Sequence, residues 1–306
     1  MANMTTKNLN IAPQTRSGCC AIAGRSNVGK STLLNKLVGA KISSTAGKPQ
    51  TTRQPIRGIV TEQGAQIVFI DTPGIHLKET HLLNAAMNKS AVAALDEVDV
   101  ILFVVETGNW HEEEDRILKV LSNVNKPCLL CVNKIDWLRD KKDLLPVLTH
   151  LSRKFLFDAV IPISAMKGDN LAALKAEIRA RLPYTPDYPF PEDQLSDRDE
   201  RFIVAECIRE QLTRSLGEEL PYSVYVEITV YEERAEDVLI SATTWVARNN
   251  HKAIVIGRSG SMLKQIGSRA RASIERFLDK RCHLKLWVKV KPNWQDDPRI
   301  IRGLTA

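Results

Sequence analysis

The stretch Gly24-Arg25-Ser26-Asn27-Val28-Gly29-Lys30-Ser31 constrains this chain more than any other. Two glycines separated by four residues are followed at once by lysine and serine. A short apolar run, Cys19 to Ala23, precedes them, and Thr32 to Leu37 reads as the start of a helix. Strand, glycine loop and helix form the context of a phosphate-binding loop. The glycines let backbone N–H groups curl around an anion, and the helix N-terminus adds its partial positive charge. Lys30 can reach β- and γ-phosphates, and Ser31 can hold Mg²⁺.

Four more short motifs follow in a fixed order. Gln50-Thr51-Thr52-Arg53 lies in a polar stretch beginning near Ser43, where Thr52 can complete Mg²⁺ coordination. Asp71-Thr72-Pro73-Gly74 ends the apolar run Ile67 to Ile70. Its carboxylate can face a metal through the water shell, and the Gly74 N–H can meet a γ-phosphate. Asn133-Lys134-Ile135-Asp136 follows the apolar run Cys128 to Val132. An aspartate there accepts both the ring N–H and the exocyclic amine of guanine, a donor pair that adenine lacks. Ser164-Ala165-Met166 follows Val160 to Ile163, with backbone able to donate to the guanine carbonyl. The expected nucleotide-binding residues are therefore Gly24, Asn27, Val28, Gly29, Lys30, Ser31, Thr32, Asn133, Lys134, Asp136, Ser164, Ala165 and Met166. Lys30, Thr52, Asp71 and Gly74 carry the hydrolytic step, with Ser31, Thr52 and Asp71 as Mg²⁺ ligands.

A chain of 306 residues suggests two domains, each able to bury a core. No apolar run approaches the roughly 18 residues of a membrane span. Residues 1–17 are polar, lack a signal-peptide core and read as a flexible tail; having no acidic residue, they also fit a transit peptide. The six cysteines show no zinc spacing: Cys128 and Cys131 fall inside an apolar strand. Buried reduced thiols, consistent with a cytoplasmic location, are expected. Residues 183–191 hold four prolines, which remove backbone donors and disfavour helix; residues 183–196 read as a stiff linker. Before it, over 18–182, apolar strands alternate with amphipathic helices, Glu112 to Asn123 and Asn170 to Arg181 among them. This predicts a mostly parallel α/β sheet with one antiparallel hairpin around Gly64.

After the linker the pattern changes. Asp197 is placed to cap a helix reaching about Leu216; Val224 to Val230, Val238 to Val246 and His283 to Lys291 alternate as strands. The net charge of +7 is uneven, with fourteen basic and four acidic residues over 245–306. Such a segment suits nucleic acid, although a solvated basic helix has the same composition. Gly257-Arg258-Ser259-Gly260, preceded by Ile256 and followed by Lys264, Ile266 and Gly267, resembles the GxxG loop of KH domains. That loop joins two helices and clamps about four single-stranded nucleotides. Periodicity alone makes Ala253 to Ile256 a strand; the resemblance makes it a short helix, which we adopt. The RNA-binding residues it implies are Ile256, Gly257, Arg258, Ser259, Gly260 and Lys264. Ile254 and Ile256 line either the groove or the core. Trp287 and Trp294 are candidates to stack bases, with Trp287 the better candidate for core.

The first half resembles the TrmE–Era branch of GTPases, a Ras-like P-loop fold. A KH domain of type II (α+β, αββααβ) over 197–306 then matches the Era family of ribosome-assembly GTPases. Trp287-Val288-Lys289-Val290-Lys291 with Trp294 and Asp296-Asp297 resembles that family's ending. Asp197-Arg198, Glu206 and Ile208-Arg209-Glu210 match its first KH helix. Ser26, where the family usually has proline, and the longer N-terminus are departures. The resemblance implies GTP hydrolysis with Mg²⁺. It also implies binding of the single-stranded 3′ end of small-subunit ribosomal RNA during 30S assembly, by a cytoplasmic monomer, with peripheral inner-membrane contact an open point. Signalling GTPases place a water-orienting glutamine where Ile75 stands, so unaided hydrolysis should be slow. In TrmE-like relatives an asparagine at the position of Asn27 helps hold K⁺, a candidate role beside that of turn former. Arg53 is a candidate finger in cis or a solvated cation. Two other readings stay open: an RNA-binding checkpoint with vestigial hydrolysis, and a TrmE-branch GTPase acting on tRNA or the large subunit.

Overall fold

The structure, a computed structural model, describes residues 15–46, 52–73, 81–108, 110–217 and 220–305. The first unit runs β1 (Thr15–Ala23), α1 (Lys30–Val38), β2 (Ile56–Glu62), β3 (Ala65–Asp71), α2 (Leu82–Asp96), β4 (Val100–Glu106), α3 (Glu112–Leu121), β5 (Cys128–Asn133), α4 (Leu144–Ser152), β6 (Ala159–Pro162), α5 (Leu171–Arg181) and β7 (Tyr184–Thr185). The second runs α6 (Glu200–Ser215), β8 (Val224–Glu233), β9 (Asp237–Val246), α7 (Asn249–Ile256), α8 (Ser261–Leu278), β10 (Arg281–Val290) and α9 (Pro298–Thr305).

The first sheet has the order β2-β3-β1-β4-β5-β6, with short β7 beside the start of β1; it is parallel except for β7 and for β2, which pairs with β3 around the turn at Gly64. Strand pleating sends alternate residues to opposite faces. Cys20 and Ile22 of β1 pack with α1 and α5, while Ala21 and Ala23 pack with α2, α3 and α4. Every residue of β3 and β5 is buried, which is why these segments read as continuous apolar runs. The strand C-terminal ends, Ala23, Asp71, Glu106 and Asn133, meet along one edge, where loop residues are free to carry chemistry.

The second unit has the order α-β-β-α-α-β followed by α9, with a three-stranded sheet β10-β9-β8 covered on one face by α6 and α8. Its core continues into that of the first unit, where Ile42 joins Ile203 and Cys207 in one apolar cluster.

Several expectations shift. Thr15–Ser17, assigned to the tail, are strand: Thr15 and Arg16 pair with β7, and Arg16 clips the carbonyls of Ala180 and Leu182 at 2.8 Å. The segment expected to be a stiff linker holds a short strand and lies against the first sheet. Tyr184 and Thr185 are strand, Gln66 exchanges two hydrogen bonds with the Phe190 backbone, and the Ile59 N–H donates to Leu195 O at 2.9 Å. Proline fixes this path in advance, so laying it along β2 loses little chain entropy. Asp199, not Asp197, caps α6: its carboxylate accepts from Phe202 N at 2.8 Å, while Asp197 pairs with Arg57. Residues 253–256 are helical, with only Val255 of that helix buried; a strand there has no partner in the sheet. The six cysteines are free, and all but Cys19 are buried.

Candidate nucleotide and RNA sites

The phosphate loop leaves β1 at Gly24, whose φ of +150° and approach to Val104 O permit no side chain; a Cβ would lie 2.4 Å from that oxygen. Asn27 is exposed in the left-handed region, and Val28 is fully buried beneath the loop. Gly29 has φ +102°, and a Cβ there would lie 2.4 Å from Nδ2 of Asn133. Helix α1 then starts at Lys30, with Ser31 and Thr32 in its first turn. Its first N–H groups and its dipole therefore address the loop. Lys30 Nζ donates to Gly24 O and Arg25 O, both at 2.9 Å. Burial pushes its ammonium down to about 8, against the attraction of Asp71.

Asp71 is fully buried at the end of β3. Its Oδ2 accepts from Ser31 at 2.7 Å, Thr52 at 3.0 Å and Ser43 at 3.2 Å. Burial raises its carboxyl pKa, opposed by Lys30 and these hydroxyls. Oδ1 has no hydrogen-bond partner among the described residues. A buried carboxylate with one bare oxygen, beside two hydroxyls 2.9 Å apart, fits a hard divalent cation such as Mg²⁺. Ser31, Thr52 and Asp71 would hold it, and Mg²⁺ there would supply positive charge against that of a phosphate group. Gly74 and Ile75 lie outside the described residues.

The residues expected to recognise the base converge on the same edge. Asn133 is a tie between loops: Nδ2 donates to Val28 O at 2.8 Å, while Oδ1 accepts from Lys134 N at 2.8 Å and Ala165 N at 2.9 Å. Ser164 is fully buried and donates to Asp136 Oδ1 at 2.6 Å, aligning a half-buried carboxylate. Ala165 is buried and Met166 exposed. Lys134, left-handed at φ +65°, pairs with Glu106 at 2.5 Å and lies 4.2 Å from the Trp137 ring.

Some residues here were missed. Glu106 also receives Arg25 at 2.7 Å, so one carboxylate joins the phosphate loop to the guanine motif. Burial works against its charge, yet Lys134 and Arg25 hold the carboxyl below its ordinary value. Arg25 also pairs with buried Glu114 at 2.9 Å, whose other oxygen accepts from His111 N at the start of α3. The only signal for Glu114 was its place three residues into a helix, as in a capping box. Arg53 is neither a finger nor solvated: it is 4 % exposed and donates to Val224 O at 2.7 Å in the second unit. Its ring-stacking partner is Trp294, 5.5 Å away.

In the second unit, α7 ends at Gly257, with φ +73°; a Cβ there would lie 2.6 Å from Met262 Cβ and 2.9 Å from Met262 N. Ser259 and Gly260 are also left-handed, and Gly260 caps α8. Arg258, Ser259 and Lys264 are exposed. A groove of about 400 Å³ runs from Gly260 along Lys264, Gly267 and Arg271 to Leu284 and Leu286. Glycines, cations and an apolar wall suit a nucleic-acid strand. Ile256 packs on the core and Ile254 is exposed. The tryptophan assignments invert: Trp287, expected in the core, is 60 % exposed, whereas Trp294 is fully buried and donates to Ser223 O, which excludes base stacking. The pleat explains this, since Trp287 alternates with buried Val288 and points off the helix-covered face.

A loop shaped for phosphates and a carboxylate set for guanine define a P-loop guanine-nucleotide domain, joined here to a KH domain. Family models agree: 50S ribosome-binding GTPase over residues 19–134 and KH domain over residues 219–295. The chain is 46% identical over 292 residues to GTPase Era of Glaesserella parasuis, covering 95% of this chain and 97% of that protein. It is 45% identical over 296 residues to GTPase Era of Pseudomonas savastanoi, covering 97% and 98%. Among solved structures, a point variant of Aquifex aeolicus Era bound to GDP·AlF4⁻ superposes with TM-score 0.91 at 37% identity, covering 95% of this chain and all of that one. Era in complex with MgGDPNP and nucleotides 1506–1542 of 16S ribosomal RNA gives the same values. The chain belongs to the Era family of GTPases, and is a GTP hydrolase.

Proposed function

We propose that this GTPase, with Mg²⁺, couples GTP turnover to binding of the single-stranded 3′ end of small-subunit ribosomal RNA, in assembly of the 30S subunit. The adjacent pair Thr52–Arg53 carries the coupling. Thr52 touches the Asp71 cluster at the phosphate loop, and Arg53 is bonded to the KH backbone at Val224. A change at either end displaces a residue fixed at the other, and such linkage is reciprocal. The relative crystallised with 16S ribosomal RNA supports the choice of RNA.

The test is GTP turnover with and without an oligonucleotide copying that 3′ end, in K⁺ buffer. The RNA is expected to raise turnover. Gly257→Asp forces a side chain into a backbone conformation (φ +73°, ψ 175°) that is essentially reserved for glycine, at a cost of about 1–3 kcal/mol, and adds a repelling charge. It is expected to weaken RNA binding about tenfold or more, and to remove the stimulation. Turnover indifferent to RNA, with binding intact, would leave two uncoupled modules.

We read Asn27, exposed at the loop tip, as a K⁺ ligand replacing a catalytic arginine, since Arg53 is committed elsewhere. An arginine finger supplies about 10³–10⁵-fold, and a positioned K⁺ would take over part of that role. Turnover is accordingly expected to be at least about tenfold faster in K⁺ than in Na⁺, and equal rates would remove this role.

A further inference from the structure

The outer face of the KH sheet, opposite the helices, carries a feature that the groove does not use. Sheet register sets Lys289, Trp245 and Tyr225 in one row, and Trp287, Thr243 and Glu227 in the next. Trp287 is 60 % exposed on edge strand β10, with exposed Lys285 and Lys289 two residues either side. Lys289 Nζ lies 5.6 Å from the Trp245 ring. The carboxylate in this region, Glu227, accepts from Trp245 Nε1 at 2.7 Å, which fixes that ring.

We propose that this strip, Lys285-Trp287-Lys289 with Trp245, is a second contact for single-stranded RNA, taken up by the chain that continues past the GxxG groove. The proposal rests on the RNA-binding reading above. Leu284 and Leu286 line the groove, while Lys285, Trp287 and Lys289 alternate with them on the opposite face. One edge strand thus separates the two surfaces, and an RNA strand leaving the groove meets the strip by rounding that edge. Charge favours a polyphosphate, with a cation on each side of an exposed indole. An exposed tryptophan offers any base a stacking face. The strip also borders the contact between the domains: Tyr225, in the row of Lys289, packs on Trp294, which is clustered with Leu83 and Met87 of α2. RNA there lies next to the GTPase unit.

The test compares two probes on the full chain. One is a single-stranded RNA of about six nucleotides, enough for a groove that clamps about four. The other extends it by roughly ten nucleotides, the scale of a further single-strand binding site. Trp287→Ala is expected to weaken the long probe about 5- to 100-fold, with little effect on the short one. Trp287→Phe should restore most of the loss. Lys285→Gln with Lys289→Gln should lower the salt dependence of long-probe binding by about one to two ions. Equal affinity of Trp287→Ala and the parent chain for the long probe overturns the proposal, and leaves the strip as a protein-binding face. Failure of Gly257→Asp to weaken the short probe overturns the groove reading instead, and the strip with it. The side chain is exposed, so thermal unfolding of Trp287→Ala should match that of the parent.

Discussion

Asp136→Asn is expected to move base preference from guanine to xanthine. Ser164 donates to Oδ1 of Asp136, which fixes the carboxylate plane and leaves Oδ2 and the second lone pair of Oδ1 for the base. Guanine presents two donors on that edge, and a carboxylate answers both. An asparagine amide turns one acceptor into a donor, which opposes the exocyclic amine of guanine but matches the carbonyl that xanthine carries there. A site built to hydrogen-bond a polar edge rejects a mismatch by about 10⁴–10⁵. GTP affinity should fall toward that range, and xanthosine triphosphate should gain. Titration of both nucleotides against the variant decides it. Undiminished GTP affinity would mean that Asp136 does not touch the base.

Lys30→Ala carries the second large effect. The ammonium is nearly dehydrated, held by two loop carbonyls and drawn toward Asp71. In a dry site a fixed cation acts on phosphate charge far more strongly than in water. Its loss should lower kcat by about 10²–10³, with a comparable loss of triphosphate affinity. The fold should not suffer in step, because removing a cation already disfavoured by burial relieves a desolvation cost. Single-turnover rates and thermal unfolding, measured together, test this. A variant that hydrolyses normally, or that unfolds before it loses activity, would contradict it.

The phosphate loop, the metal cluster and the guanine motif were legible because each is a short contiguous peptide at a strand end. Backbone geometry there demands glycine at 24 and 29, and neighbouring hydroxyls converge on the carboxylates at 71 and 136. Glu106 and Arg25 were not legible. Their partners lie 28, 81 and 89 residues away, and nothing local distinguishes them from solvated charges. Arg53 failed for the same reason, since its partner, Val224 O, is a backbone atom 171 residues away. The tryptophans failed differently. The alternation of β10 was visible, but which face the helices cover is a tertiary fact, and it left Trp287 outside; Trp294, beyond the strand, is buried against Leu83 and Met87 of α2. Where periodicity and the GxxG pattern disagreed, over 253–256, the longer pattern was right because it specified the neighbours as well as the segment.

The path of residues 183–196 along the first sheet bears on where this protein can be divided. β2 is an edge strand, and the segment around Leu195 and Ser196 caps it, bridging at Gly58 and accepting from Ile59 N. An uncapped edge is a template on which another chain can add a strand. A GTPase unit cut at Leu182 gives up both β7 and that cap, and offers its bare edge to its own copies. Cut after Ser196, it keeps the β2 edge covered. The seam between the two functions therefore lies some fourteen residues beyond the point where the helical pattern stops.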